Sequence, residues 1–224
     1  MICWSCQKEA GAGTVCAACG ALQPPDDRED LFAVLGLPAR YAVDMAAAET
    51  AYKERSREVH PDRFATADPR ARRASLARTV QLNQAWRTIK DPVRRAEYML
   101  TRAGIDLAGK QPTPGSEEKR TMEVAAPPAF LLEILELNDE LATARRGGDT
   151  VKVAFMAEEM QRRASESMKT IAARLEAGAR PALEEAAREL IALRYYHRFL
   201  DEASRPVAAG ATGNHGGAGT RSGP

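Results

Sequence analysis

The sequence predicts an all-α protein: a helical hairpin, then an antiparallel three-helix bundle, preceded by a small zinc-ribbon or knuckle-like module. Three observations predict it. Ala, Glu, Arg and Leu dominate a chain of 224 residues in which aromatics are only 5%, and that mix favours helix over sheet. Apolar residues recur at helical spacing in two separate segments. All four cysteines fall within the first 19 residues, ahead of both segments.

The chain divides into five parts: 1–27 with the cysteines and a linker, a helical unit over 28–105, a linker over 106–126, a second helical unit over 127–205, and a tail over 206–224. The tail is mostly Gly, Ala, Ser and Thr, a composition that reads as disordered. No internal repeat is evident. In the first unit, Asp30 to Gly36 reads as a short helix stopped by glycine. Asp44 caps a helix from about Met45 to Val59, with Ala48, Ala51, Tyr52, Arg55 and Val59 along one face. His60-Pro61-Asp62 breaks it, because proline cannot continue a helix. A third helix starts near Pro69, with Leu76, Val80, Asn83, Ala85 and Ile89 as its apolar face, and a fourth spans Val93 to Arg102 after Asp91-Pro92.

In the second unit a helix runs from about Ala129 to Arg146. Phe130, Ile134, Leu137 and Leu141 form its stripe, enough to bury it against neighbours. Leu131, Leu132 and Leu135 fall elsewhere; from periodicity alone they are a wider core face or an exposed patch. After Gly147-Gly148, Thr150 to Glu176 places Met156, Met160, Met168, Ile171 and Leu175 at core spacing. Pro181 to Ser204 puts Ile191, Tyr195 and Phe199 on one face. Three helices with short turns form an antiparallel bundle.

Cys3-x-x-Cys6 and Cys16-x-x-Cys19 are two knuckles whose four thiolates can surround one ion tetrahedrally. A sulfur-only set suits zinc, with iron the alternative. A module this small has little core, so the metal supplies most of its folding energy. With every ligand position filled, the metal reads as structural. Clustered cysteines read as ligands before disulfides in a reducing compartment. The opening residues leave no room for a signal peptide, and no stretch approaches the roughly 18 apolar residues of a membrane span. The expectation is a cytoplasmic protein. A net charge of +1 gives no global pull towards nucleic acid or membrane.

His60-Pro61-Asp62 lies between two amphipathic helices, the first carrying Lys53, Arg55 and Arg57. With Leu31-Phe32 and Leu35-Gly36 before it, and Leu82-Asn83-Gln84-Ala85-Trp86 and Asp91-Pro92 after it, this unit resembles the J domain. Gly36 to Tyr41, Val80 to Trp86, Arg95 to Leu100 and Phe130 to Leu137 narrow the resemblance to HscB-type co-chaperones of iron–sulfur cluster assembly. The resemblance covers about Asp30 to Phe199.

It implies a non-enzymatic adaptor with two contacts. The basic helix and His60-Pro61-Asp62 dock on a DnaK/HscA-class chaperone and stimulate its ATPase. Leu131, Leu132, Leu135, Glu136, Asp139 and Tyr195 match the positions that bind the iron–sulfur scaffold protein, with Phe199 the rival to Tyr195. The cysteine start and Leu22 to Asp26 resemble the amino-terminal extension of eukaryotic HscB relatives, with dimerisation or partner selection as options for its role and a homodimer as one option for assembly. The alternatives are a general J protein for unfolded clients, which would carry a Gly/Phe-rich linker and a β-sandwich client domain, and a thiol-redox or metal protein.

Overall fold

Short polar caps start the helices of the first unit in the computed structural model of the chain, which describes residues 1–11, 13–26, 28–107 and 122–206. Asp30 accepts a hydrogen bond from the Phe32 amide to start α1 (Leu31–Leu35). Asp44 accepts from the Ala46 and Ala47 amides to start α2 (Met45–Val59). Asp68 caps α3 (Pro69–Lys90), and Asp91 caps α4 (Pro92–Arg102), each followed by proline in the first turn. Side-chain oxygens here satisfy amides that have no partner within the helix. In the second unit α5 (Pro128–Arg146), α6 (Thr150–Ala177) and α7 (Arg180–Ser204) follow. The helices lie within one or two residues of their expected bounds.

The linker expectation needs correction at both ends. β1 (Ile105–Leu107) pairs in parallel with β2 (Met122–Val124), Ile105 opposite Met122. Ile105, Leu107 and Val124 are buried against the bundle. Three-residue strands are too short to show a period-two pattern, so the sequence concealed them. The linker reading for 108–121 and the tail reading for 207–224 lie outside the described residues.

Two large apolar cores result among the described residues, besides the small cluster of the cysteine module. One joins α1, α2 and α3 through Phe32, Leu35, Val59, Leu82, Ala85 and Ile89, and takes in Leu22 from the cysteine module. The other fills the bundle with Ile134, Leu141, Met160, Ile171, Leu190 and Phe199, and also takes in Tyr41, Ala96 and Leu100 from the first unit. Sequence position 105 is therefore not a packing boundary. Polar contacts follow the same seam: the Ala42 amide donates to Glu176 at 2.6 Å and Arg194 pairs with Glu97 at 2.7 Å.

The expected apolar face of α3 is also corrected. Leu76 and Val80 are 56% and 64% exposed, and the buried face is Ala71, Ala74, Ser75, Arg78, Leu82, Ala85 and Ile89. Two polar side chains occupy core positions because each has local partners. Ser75 donates to the Val59 carbonyl at 2.6 Å. Arg78 donates to the carbonyls of Gln23 and Pro24 and pairs with Glu29. Such pairing offsets the cost of taking these polar groups out of water.

Candidate functional site

Three constellations stand on this frame. The first is the turn after α2. His60 ends the helix in an extended conformation, and its Nδ1 accepts from the Asp62 amide at 3.3 Å. A 3₁₀ turn, Pro61–Phe64, follows. The His60 side chain is half exposed and Asp62 is almost fully so. The turn is exposed yet anchored. The Val59 carbonyl accepts from Ser75 Oγ and, at 3.4 Å, from Thr79 Oγ1, tying the end of α2 to α3. Tyr52 stacks on Trp86 with ring centroids 5.0 Å apart and donates to Asn83, holding the two helices together one face further up.

The basic residues of α2 do not share one face. Lys53 and Arg57 are four apart and both exposed, with Lys53 paired to Glu49. Arg55, two residues from each, turns aside, as helical spacing requires. Its guanidinium packs against Gly36, where a Cβ would collide with it. Gly36 also has φ +72°, so glycine answers both demands. Arg63, which sequence reasoning missed, donates to the Arg57 carbonyl and lies beside the turn.

The second constellation is on α5. Ile134 and Leu141 are buried, while Leu131, Leu132 and Leu135 are exposed, as are Glu136 and Asp139. The leucines are thus a patch and not a wider core face. Tyr195 is half-buried and meets Phe130 edge-on at 5.7 Å, with the Arg198 guanidinium over its other side. Phe199 is 1% exposed and belongs to the core, which removes it as the rival to Tyr195. Asn138 turns back to the Ile134 carbonyl.

The third is the cysteine cluster. Sγ atoms of Cys3, Cys6, Cys16 and Cys19 all lie within 4.8 Å of one another. Cys3 and Cys19 are 3.7 Å apart, Cys6 and Cys16 3.8 Å. A tetrahedral ion with metal–sulfur bonds of about 2.3 Å needs sulfurs about 3.8 Å apart, so the four residues fit a metal ion. The two halves are built alike, thirteen residues apart. The Ser5 and Ala18 amides donate to Cys3 and Cys16 Sγ. Cys3 and Cys16 amides donate to the Lys8 and Ala21 carbonyls. Gln7 at φ +60° occupies the place of Gly20 at φ +71°. This is the internal repeat that sequence reasoning did not find, because glutamine stands where glycine would mark it.

Over residues 126–204 the chain matches the family described as the HSCB C-terminal oligomerisation domain. It is similar to the crystal structure of human co-chaperone protein HscB, with a TM-score of 0.68 and 26% identity over 91% of this chain and 96% of the human one. Chaperone HscB from Vibrio cholerae shares the fold, with a TM-score of 0.60 and 24% identity over 78% of this chain and 95% of that one. Residues 126–204 carry the HscB carboxy-terminal domain, and the chain over nine-tenths of its length is similar to an HscB-type co-chaperone.

The thiols of this HscB-type chain differ in their readiness to ionise when no metal screens them. At Cys3 burial opposes ionisation, but amide donors from Cys6 and Ser5 prevail and bring the thiol down to about 6. At Cys6 the Lys8 amide favours the thiolate, yet burial and the neighbouring sulfurs push the thiol up to about 11. A buried Gln23 donates to Cys3 Sγ at 3.3 Å, a second contact beyond the knuckle amides. None of the described helices is long and apolar enough to cross a membrane.

Proposed function

We propose that this HscB-type chain is a cytoplasmic co-chaperone that catalyses nothing itself, brings the iron–sulfur scaffold protein to a DnaK/HscA-class chaperone, and stimulates that chaperone's ATPase. The observation that carries this reading is an exposed but anchored His60-Pro61-Asp62 turn on a body that also exposes three leucines on α5. Lys53, Arg57 and Arg63 supply positive charge around the turn for an acidic chaperone face. Pairing of Val59 with Ser75 presents the turn in one geometry, so less ordering entropy is lost on docking.

Leu131, Leu132 and Leu135 act as apolar anchors for the scaffold, ringed by Glu136 and Asp139, with Tyr195 at the patch edge. Because Tyr41, Ala96 and Leu100 share a core with the bundle, a scaffold held on α5 keeps one orientation relative to the chaperone-docking turn. The cysteine cluster holds zinc, which its sulfur-only tetrahedral set suits better than other common ions. When bound, the ion closes the module's fold; four protein sulfurs fill its coordination and leave no position for a substrate.

The test is a pulldown of the iron–sulfur scaffold with wild type and with Leu131→Ala/Leu135→Ala, alongside chaperone ATPase assays of wild type and His60→Gln. The leucine variant should lose scaffold and keep ATPase stimulation; the His60 variant should do the reverse. Wild type that neither binds scaffold nor stimulates the ATPase would overturn the reading. Metal analysis of the purified chain should return one zinc per molecule.

A further inference from the structure

The two halves of the cysteine module correspond residue by residue, and position 23 departs from the correspondence in one telling way. The Ala10 amide donates to the Met1 carbonyl, and the Gln23 amide donates to the Thr14 carbonyl, with donor and acceptor both shifted by the same thirteen residues. Ala10 and Gln23 are therefore equivalent places, and both are buried, at 1% and 2% exposure. A methyl group suffices in the first half. The second half holds a long side chain with a primary amide at its tip.

That side chain crosses to the opposite half. Gln23 Nε2 donates to Cys3 Sγ at 3.3 Å and to the Ala21 carbonyl at 2.7 Å. Two acceptors on this side fix the amide's orientation: turned over, it would set its oxygen against a carbonyl oxygen and a sulfur. Its Oε1, in contrast, is buried with no hydrogen-bond partner among the described residues. An apolar side chain of similar size would avoid the cost of that orphaned oxygen. Space-filling thus gives no reason for glutamine here; the amide hydrogen directed at Cys3 does.

We propose that Gln23 is a positioning residue of the metal site, whose side-chain amide holds the buried Cys3 sulfur as a thiolate turned towards the ion. Four thiolates around a divalent cation leave surplus negative charge on sulfur. Cys19 is exposed, and water can serve it. Cys3 is wholly buried, so its donors must come from the chain. The Ser5 amide and Gln23 Nε2 provide them as charge-assisted bonds. Donors behind a ligand fix its orientation and tune its hold on the metal.

Gln23 is suited to this because its backbone is pinned from both sides. Its amide is held by Thr14 within the module, and its carbonyl accepts from Arg78 Nε on α3 at 2.9 Å. The side chain therefore approaches Cys3 from a fixed base. The inference rests on the reading of the four cysteines as metal ligands and is independent of the chaperone and scaffold contacts. It also differs in sign from a packing role. Gln23→Leu removes the orphaned oxygen, so if Gln23 only filled space the variant would hold metal as well as the wild type or better.

The test uses the full chain, loaded in turn with zinc and with cobalt(II) as a visible probe, and titrated against a competing chelator. Gln23→Leu should weaken the binding of both ions by roughly 10–100-fold, as loss of a donor behind a metal ligand does. Its sulfur-to-cobalt charge-transfer band should move to longer wavelength, because a thiolate without its hydrogen bond gives up electron density more readily. The helical circular dichroism should not change. Gln23→Glu keeps the shape but sets oxygens against the Ala21 carbonyl and the Cys3 sulfur, and should weaken binding further. Wild-type affinity in Gln23→Leu, or lower affinity with the band unmoved, would overturn the proposal. A wild-type chain that binds neither ion would overturn the metal reading on which it stands.

Discussion

The cysteine module and the carboxy-terminal bundle are both attached to the same helical hairpin, by opposite means. The bundle shares an apolar core with it: Tyr41, Ala96 and Leu100 are buried among Ile134, Leu141 and Phe199. The module is attached mainly by hydrogen bonds. Arg78 on α3 reaches the Gln23 and Pro24 carbonyls, Gln81 donates to the Asp26 carbonyl, and Leu22 enters the hairpin's apolar core. Inside the module the buried apolar residues are Cys3, Ala10 and Cys16, too few to fold it. A region with ample apolar surface can be joined by burial; one without it needs a metal and directed polar contacts.

Removing the metal should separate the two most sharply. Structural zinc contributes on the order of 10 kcal/mol to a small tetracysteine site, so a strong chelator or Cys16→Ser should unfold residues 1–27 while the helices remain. Proteolysis ahead of α1 with little change in far-ultraviolet circular dichroism would show it; collapse of the whole helical signal would break the comparison. Acid should act in the same direction. Loading must displace the proton that Cys6 holds up to about 11, so metal retention should fall as pH falls, as read by metal release at graded pH.

In the bundle, Phe199→Ala or Leu141→Ala should destabilise by about 3–5 kcal/mol, since both side chains are fully buried. Because the hairpin's Tyr41, Ala96 and Leu100 share that core, thermal melting should remain one transition. Two resolved transitions would show the shared core to be weak.

Arg78→Ala should cost about 3 kcal/mol by leaving Glu29 and two carbonyls without their partner. Amide exchange at Leu22 and Gln23 should quicken while metal stays bound. Unchanged exchange there would mean that Leu22 alone holds the module. The smallest effect is expected from Ser75→Ala, about 1 kcal/mol, because Thr79 still reaches the Val59 carbonyl. Its readout is weaker ATPase stimulation from a looser turn, with melting nearly unchanged.

The sequence by itself determined what depends on near neighbours. Asp44, Asp68 and Asp91 begin helices because their carboxylates reach amides two or three residues on. The two CxxC pairs announce a cluster of four sulfurs that fits a metal ion, because knuckle geometry is local. The stripe of Ile134 and Leu141 was legible from helical periodicity. Only the tertiary structure decided which side chains that periodicity leaves outside. Ser75 and Arg78 occupy core positions on α3 because Val59 and the Gln23–Pro24 carbonyls lie against them, contacts 16 and 55 residues distant. Helical spacing takes Arg55 off the Lys53–Arg57 face, but that Gly36 receives its guanidinium is decided by the packing of α1 on α2. Tyr195 and not Phe199 reaches the surface, and Leu131, Leu132, Leu135 and Phe155 stay exposed, because burial is settled by what packs on a helix and not by its own pattern.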